Sequence, residues 1–192
     1  MITGLLAANL IGCATTKYSR INVLENQTTK GTFVDKIWVD DTKIPEIRAI
    51  GISIGEISID SINDEKGITK QECKEYLKKT LLEKAPSYGI SIDNITDNLK
   101  SNWIFTNMSP GDAASRVWAG EFGFGHANVQ IQVIVFDHSG KRMIEISDSR
   151  NNSGSIGLRD SFSSDGGPKF VKELIEQITT NILEELKLIT KG

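Results

Sequence analysis

The sequence predicts an α/β (α+β) domain in which a mostly antiparallel sheet carries two main helices packed on one face. Three observations predict it. Ala127 to Phe136 alternates apolar and polar residues with the period of a strand. Two other segments, one after Thr69 and one after Pro168, repeat apolar residues at helical spacing. The order of the segments is strand, helix, strands, hairpin, helix, with no internal repeat and no second domain. A chain of 192 residues suits one compact core. The expected organisation is a signal-peptide remnant over 1–12, a lipidated cysteine with a polar tether over 13–32, and a single globular domain over 33–192.

The N-terminal segment MITGLLAANLIGCATTK sets a short apolar stretch, Leu5 to Ile11, before a small residue and a cysteine. It is too short to span a bilayer and fits the core of a signal peptide. Leu10, Ile11, Gly12 and Cys13 resemble the bacterial lipobox, in which a leucine, a short pair ending in a small residue and a cysteine direct lipidation. That resemblance implies cleavage before Cys13 and a thioether from its thiol to a diacylglyceryl group. No Lys or Arg precedes Leu5, so the basic start of the signal is expected upstream of Met1. An aspartate directly after the lipidated cysteine tends to retain such proteins at the inner membrane of Gram-negative cells. Here that position is Ala14, which points to the outer membrane, facing the periplasm, in such a cell.

Residues 14–32 are small and polar and read as the tether. Phe33 to Val39 reads as a short edge strand. Ile47 to Ile59 reads as one long strand kinked at Gly55, where a glycine permits a bulge. Thr69 with Glu72 forms a capping-box pattern that starts a helix, and Ala85–Pro86 stops it, because a residue before proline avoids helical geometry. On that helix Cys73 shares a face with Tyr76, Leu77, Thr80 and Leu81 and reads as a small buried hydrophobe. Asp137 to Gly140 forms a tight turn after the strong strand, and Met143, Ile144 and Ile146 return as its hairpin partner. Asn151 to Gly167 reads as a loop. Pro168 then opens a helix whose stripe runs from Val171 to Leu186.

The composition excludes some functions. Twenty-two basic residues are interspersed with 25 acidic ones for a net charge of -3, and no Lys/Arg cluster tracks a phosphate backbone, so nucleic acid is not an expected partner. The stretch SPGDAASRVWAGEFGFGHA, Ser109 to Ala127, combines four glycines with Trp118, Phe122 and Phe124. A phosphate-cradling reading needs a following helix and a lysine, and here a strand follows. The aromatics are instead candidates for contact with a partner protein. Arg116, His126 and Asp137 are candidate ligand-binding or structural polar residues. The two histidines, His126 and His138, together with Asp137 or Asp148, lack the spacing of a metal or acid–base motif. No catalytic residue, metal site or cofactor is predicted.

The run from Asn107 to Lys141 resembles a family of bacterial lipoprotein domains of unknown function, with Gly111, Arg116, Gly123, Gly125, Asp137 and Gly140 in the matching places. The resemblance extends more loosely from Ile47 to Leu186. It implies an exported lipoprotein with an α/β fold and brings no catalytic residues. The expected function is a membrane-anchored, non-enzymatic binding or assembly module with an envelope-protein partner. The alternative is an envelope enzyme or small-ligand sensor with a pocket near Arg116, His126 and Asp137.

Overall fold

The computed structural model describes residues 28–60, 69–92, 97–111, 127–151 and 166–191. Their strands are β1 (Lys36–Val39), β2 (Ile52–Ile59), β3 (Leu99–Ser109), β4 (Asn128–Phe136) and β5 (Arg142–Asn151). Their helices are α1 (Ile44–Ile50), α2 (Lys70–Lys84) and α3 (Gly166–Lys191). The strands form one sheet in the order β1-β5-β4-β3-β2. The α+β class holds, but the sheet is mixed: β2 runs parallel to β3, while the β1–β5, β5–β4 and β4–β3 pairs are antiparallel. A parallel pair needs a crossover, and α2 supplies it.

Three sequence expectations are corrected here. The segment expected as one strand from Ile47 divides into α1 and β2, because Pro45 pre-sets helical φ in the first turn and Gly51, at φ 84°, breaks the helix before Ile52. The edge strand starts at Lys36, not Phe33. β3 occupies a range, Leu99–Ser109, that the sequence reading assigns to no element. Its core-facing alternation, Leu99, Ser101, Trp103 and Phe105, is interrupted by a serine that looks polar in sequence. In the fold Ser101 is buried, accepts a hydrogen bond from Trp103 Nε1 at 3.2 Å and donates to the Ser53 carbonyl at 2.9 Å. A buried hydroxyl so satisfied costs the core little.

Other elements form as the sequence predicts. Thr69 accepts from the Glu72 amide and Glu72 accepts from the Thr69 amide, completing the capping box of α2. Gly55 sits where the β2–β3 register shifts, and a Cβ there would lie 2.6 Å from Asn102 Oδ1, the atom that also accepts from the Glu56 amide. β4 buries Val129, Ile131, Val133 and Val135 against α3, whose buried stripe includes Val171, Ile175, Ile178, Ile182 and Leu186. Each such side chain contributes about 1.5–3 kcal/mol over exposure. α2 and α1 pack beside α3 and complete the single core. α3 begins at Gly166, two residues ahead of Pro168.

The tether was expected to run to residue 32, yet the chain is already part of the fold at Thr29. Thr29 and Ile37 exchange backbone hydrogen bonds of 2.9 and 2.8 Å, so the chain doubles back through Gly31–Asp35 before entering β1.

Candidate functional site

β5 presents Ile144, Ile146 and Asp148 in succession to the core face, so the strand alternation itself drives a carboxylate into an apolar layer. Helical spacing places Asn181 and Glu185 four residues apart on one side of α3, and this side meets the turn at Gly31–Asp35. The result is a buried polar clamp. Asp148 Oδ2 accepts from Asn181 Nδ2 at 3.0 Å, and its Oδ1 pairs with Arg150 Nη2 at 2.9 Å and accepts from the Asp35 amide at 3.3 Å. Glu185 Oε2 accepts from the Phe33 amide at 2.8 Å, Arg150 donates to the Phe33 carbonyl at 3.1 Å, and Asp35 accepts from the Ser149 amide at 3.0 Å. Val34 is buried between these contacts. Gly31 passes so close that an added Cβ would meet Val34 Cγ2 at 2.5 Å.

Burial pushes the Asp148 carboxyl above its ordinary range, against the hydrogen bond from Asn181 and the charge of Arg150. Each of its oxygens is nevertheless occupied by a donor of the protein. The arrangement fastens a turn to a strand and a helix.

A second cluster lies on the sheet face away from the helices. There Glu145, 4% exposed, accepts from Gln132 at 2.7 Å and pairs with Arg142, whose guanidinium stacks 4.5 Å from the Trp38 ring centroid.

At the other end of the β4–β5 hairpin stands Asp137, the one predicted polar candidate within the described residues. Its Oδ1 accepts from the Ser139 hydroxyl at 2.6 Å, the Ser139 amide at 2.9 Å and the Lys141 amide at 2.8 Å. These bonds, the Ser139 hydroxyl first, hold its carboxyl below the ordinary range. Gly140, at φ 82°, completes the turn, and Lys141 reaches across to Asp40 at 3.2 Å. Asp137 thus shapes a turn. Ala127 lies at the far end of β4 from it, on the order of 30 Å away at the rise of a strand. Cys13, Arg116, Trp118, Phe122, Phe124 and His126 lie outside the described residues.

Cys73 is free and fully buried, and burial raises its thiol to about 12, which leaves the thiolate unpopulated near neutrality. Among the described residues, no group of three or more His, Cys, Asp or Glu side chains could hold a metal ion. Among them also, no helix is long and apolar enough to cross a membrane.

The sequence singled out Asp148 only as a possible companion of a histidine and missed Arg150, Asn181 and Glu185. The signal was available: each of Asp148, Asn181 and Glu185 interrupts or borders an apolar repeat, where a polar residue must find a partner.

No protein-family model matches the chain, and no curated protein sequence matches it. Among solved structures, a dodecamer of a PelC variant from Paraburkholderia phytofirmans is similar at 10% identity and a TM-score of 0.36, over 68% of this chain and 86% of that one.

Proposed function

We propose that this chain is a membrane-anchored lipoprotein of the cell envelope, lipidated at Cys13, that serves as a non-enzymatic binding or assembly module. The observation that carries the reading is the sequence Leu10-Ile11-Gly12-Cys13 at the end of an apolar run, followed by a polar stretch. Acyl chains contribute about 0.8 kcal/mol per buried methylene, so two or three of them make attachment effectively permanent. The clamp suits such a protein. Load arriving along the chain upstream of Thr28 meets first the paired bonds of Thr29 with Ile37 and then the Phe33–Asp35 turn, which is tied to both β5 and α3.

The partner in this proposal is another envelope protein, met by Trp118, Phe122 and Phe124. Ser109 and Asn128 pair across β3 and β4, and Asn128 pairs in turn with Asn151. The described residues that flank the aromatic stretch, Ser109 and Asn128, therefore stand at the end of the sheet that carries the clamp. With Ala14 after the cysteine, the proposed location in a Gram-negative cell is the outer membrane, facing the periplasm.

Intact-mass measurement of the membrane-extracted protein tests the anchor. The expected species begins at Cys13 and carries acyl chains; an unmodified chain that retains Met1 refutes it. For the partner surface, Trp118→Ala with Phe124→Ala is expected to abolish recovery of a crosslinked envelope protein while the fold stays intact. Unchanged recovery would remove the aromatic stretch as the contact.

A further inference from the structure

We propose that the groove between the β2 edge and α2 binds an extended, acidic and apolar segment of a partner polypeptide, which adds as a strand to β2. This groove is independent of the lipid anchor and of the aromatic stretch. It has a volume of about 310 Å³ and is walled by Ile54 to Ile57 of β2, by Leu81 and Leu82 of α2, and by Ile92.

Three observations converge on it. First, β2 is an edge strand whose pairing is incomplete. Its outward groups at Ile52 and Ile54 are taken by Ser91, through bonds of 3.0 Å each. Beyond the Gly55 bulge the alternation turns the N–H and C=O of Ile57 and Ile59 outward, since Ser58 and Asp60 face β3. Among the described residues nothing pairs with these four groups, which form a template for one added strand.

Second, large apolar side chains stand exposed on this groove. Four large hydrophobic side chains are exposed among the described residues, and two of them, Leu82 at 46% and Ile92 at 39%, line this groove. They offer a seat for an apolar side chain of the incoming strand, alternate residues of which point toward α2.

Third, the charge on the rim selects the occupant. Lys74 and Lys78 stand one helical turn apart on α2 and line the groove, and neither forms an ion pair among the described residues. Among the described residues that line the groove, Glu56 is the single carboxylate against these two lysines, and their excess favours carboxylates on the segment.

The test uses the full chain and synthetic peptides of about eight residues in the repeating pattern Ser-Val-Ser-Glu, which sets valine and glutamate on the one strand face that meets α2. One control peptide carries lysine in place of glutamate; a second is the glutamate peptide N-methylated on alternate amides. Binding is read by fluorescence anisotropy, and exchange of the Ile57 and Ile59 amides by NMR. The glutamate peptide is expected to bind saturably and to slow exchange at both amides. The lysine and N-methylated peptides are expected not to bind. A variant with Lys74→Glu and Lys78→Glu is expected to bind about tenfold more weakly, as is Leu82→Asp. Both changes are at surface side chains, and an unaltered melting curve confirms that the fold persists. Absence of saturation up to about 1 mM, equal binding of either control peptide, unchanged affinity in both variants, or unprotected Ile57 and Ile59 amides would each overturn the proposal.

Discussion

At the Asp137 end of the β4–β5 hairpin an exposed carboxylate gathers three donors from the four residues that follow it, and the turn is closed by its own sequence. At the Asp148 end a fully buried carboxylate gathers donors from residues 113 positions earlier and 33 positions later. Both are aspartates accepting backbone and side-chain hydrogen bonds, yet their carboxyls shift in opposite directions. In the turn, water solvates the group and hydrogen bonds dominate; in the clamp, desolvation outweighs the partners. The turn is thus made from a charge left in water, whereas the junction of β5 with α3 and the Phe33–Asp35 turn takes a charge out of it.

Removing the buried member should have the largest effect. Asp148→Ala removes the acceptor of Asn181 Nδ2 and the buried partner of Arg150, and chemical denaturation is expected to show a loss of about 3 kcal/mol. Exchange at the Asp35 amide should accelerate in the same variant. A loss under about 1 kcal/mol would mean that the clamp contributes little to the fold. Next comes Glu185→Ala, which orphans the Phe33 amide at a cost of about 1–2 kcal/mol. Hydrogen exchange should rise at Phe33 and stay unchanged at Ser139 and Lys141, keeping the two ends separable.

Asp137→Ala should reverse that pattern with a smaller fall in melting temperature: faster exchange at Ser139 and Lys141, none at Phe33. Coupled changes at both ends would break the comparison. The smallest effect is a titration. Followed by carboxyl carbon NMR, Asp148 is expected to protonate above the ordinary aspartate value of 3.8 and Asp137 below it. The signs of their linkage to folding follow. The stability contributed by Asp137 is present above its ordinary value and lost as pH falls through its lowered one. The contribution of Asp148 is present at low pH and lost as pH rises through its raised value. Two midpoints on the same side of 3.8 would contradict the assigned environments.

The elements readable from sequence were those whose determinants are local. Thr69 and Glu72 mark the start of α2 within four residues, the alternation of β4 is uninterrupted, and α3 carries its own apolar stripe. β3 escaped notice because Ser101 is made compatible with the core by Ser53 and Trp103, and Ser53 lies 48 residues away in sequence. The parallel pairing of β2 with β3 escaped with it, since a crossover cannot be inferred when one of its strands is missing. α1 was hidden because Ile47, Ile50, Ile52 and Ile54 look like one apolar series until Gly51 is known to adopt positive φ. For the candidate site, Asp137 was legible as a turn residue. The clamp was not, because Phe33 contributes only backbone groups and its partners lie in α3 and β5.

The Phe33–Glu185 bond joins positions 152 residues apart, and this orders events in time. A chain made from its N-terminus exposes the Gly31–Asp35 turn before the strands and the helix that receives it after them, so a segment that emerges early is among the last to be secured. Closing so long a loop carries an entropic cost that grows as about (3/2)RT ln n, which places the contact late on the folding path and makes its loss an early step of unfolding from the N-terminal side.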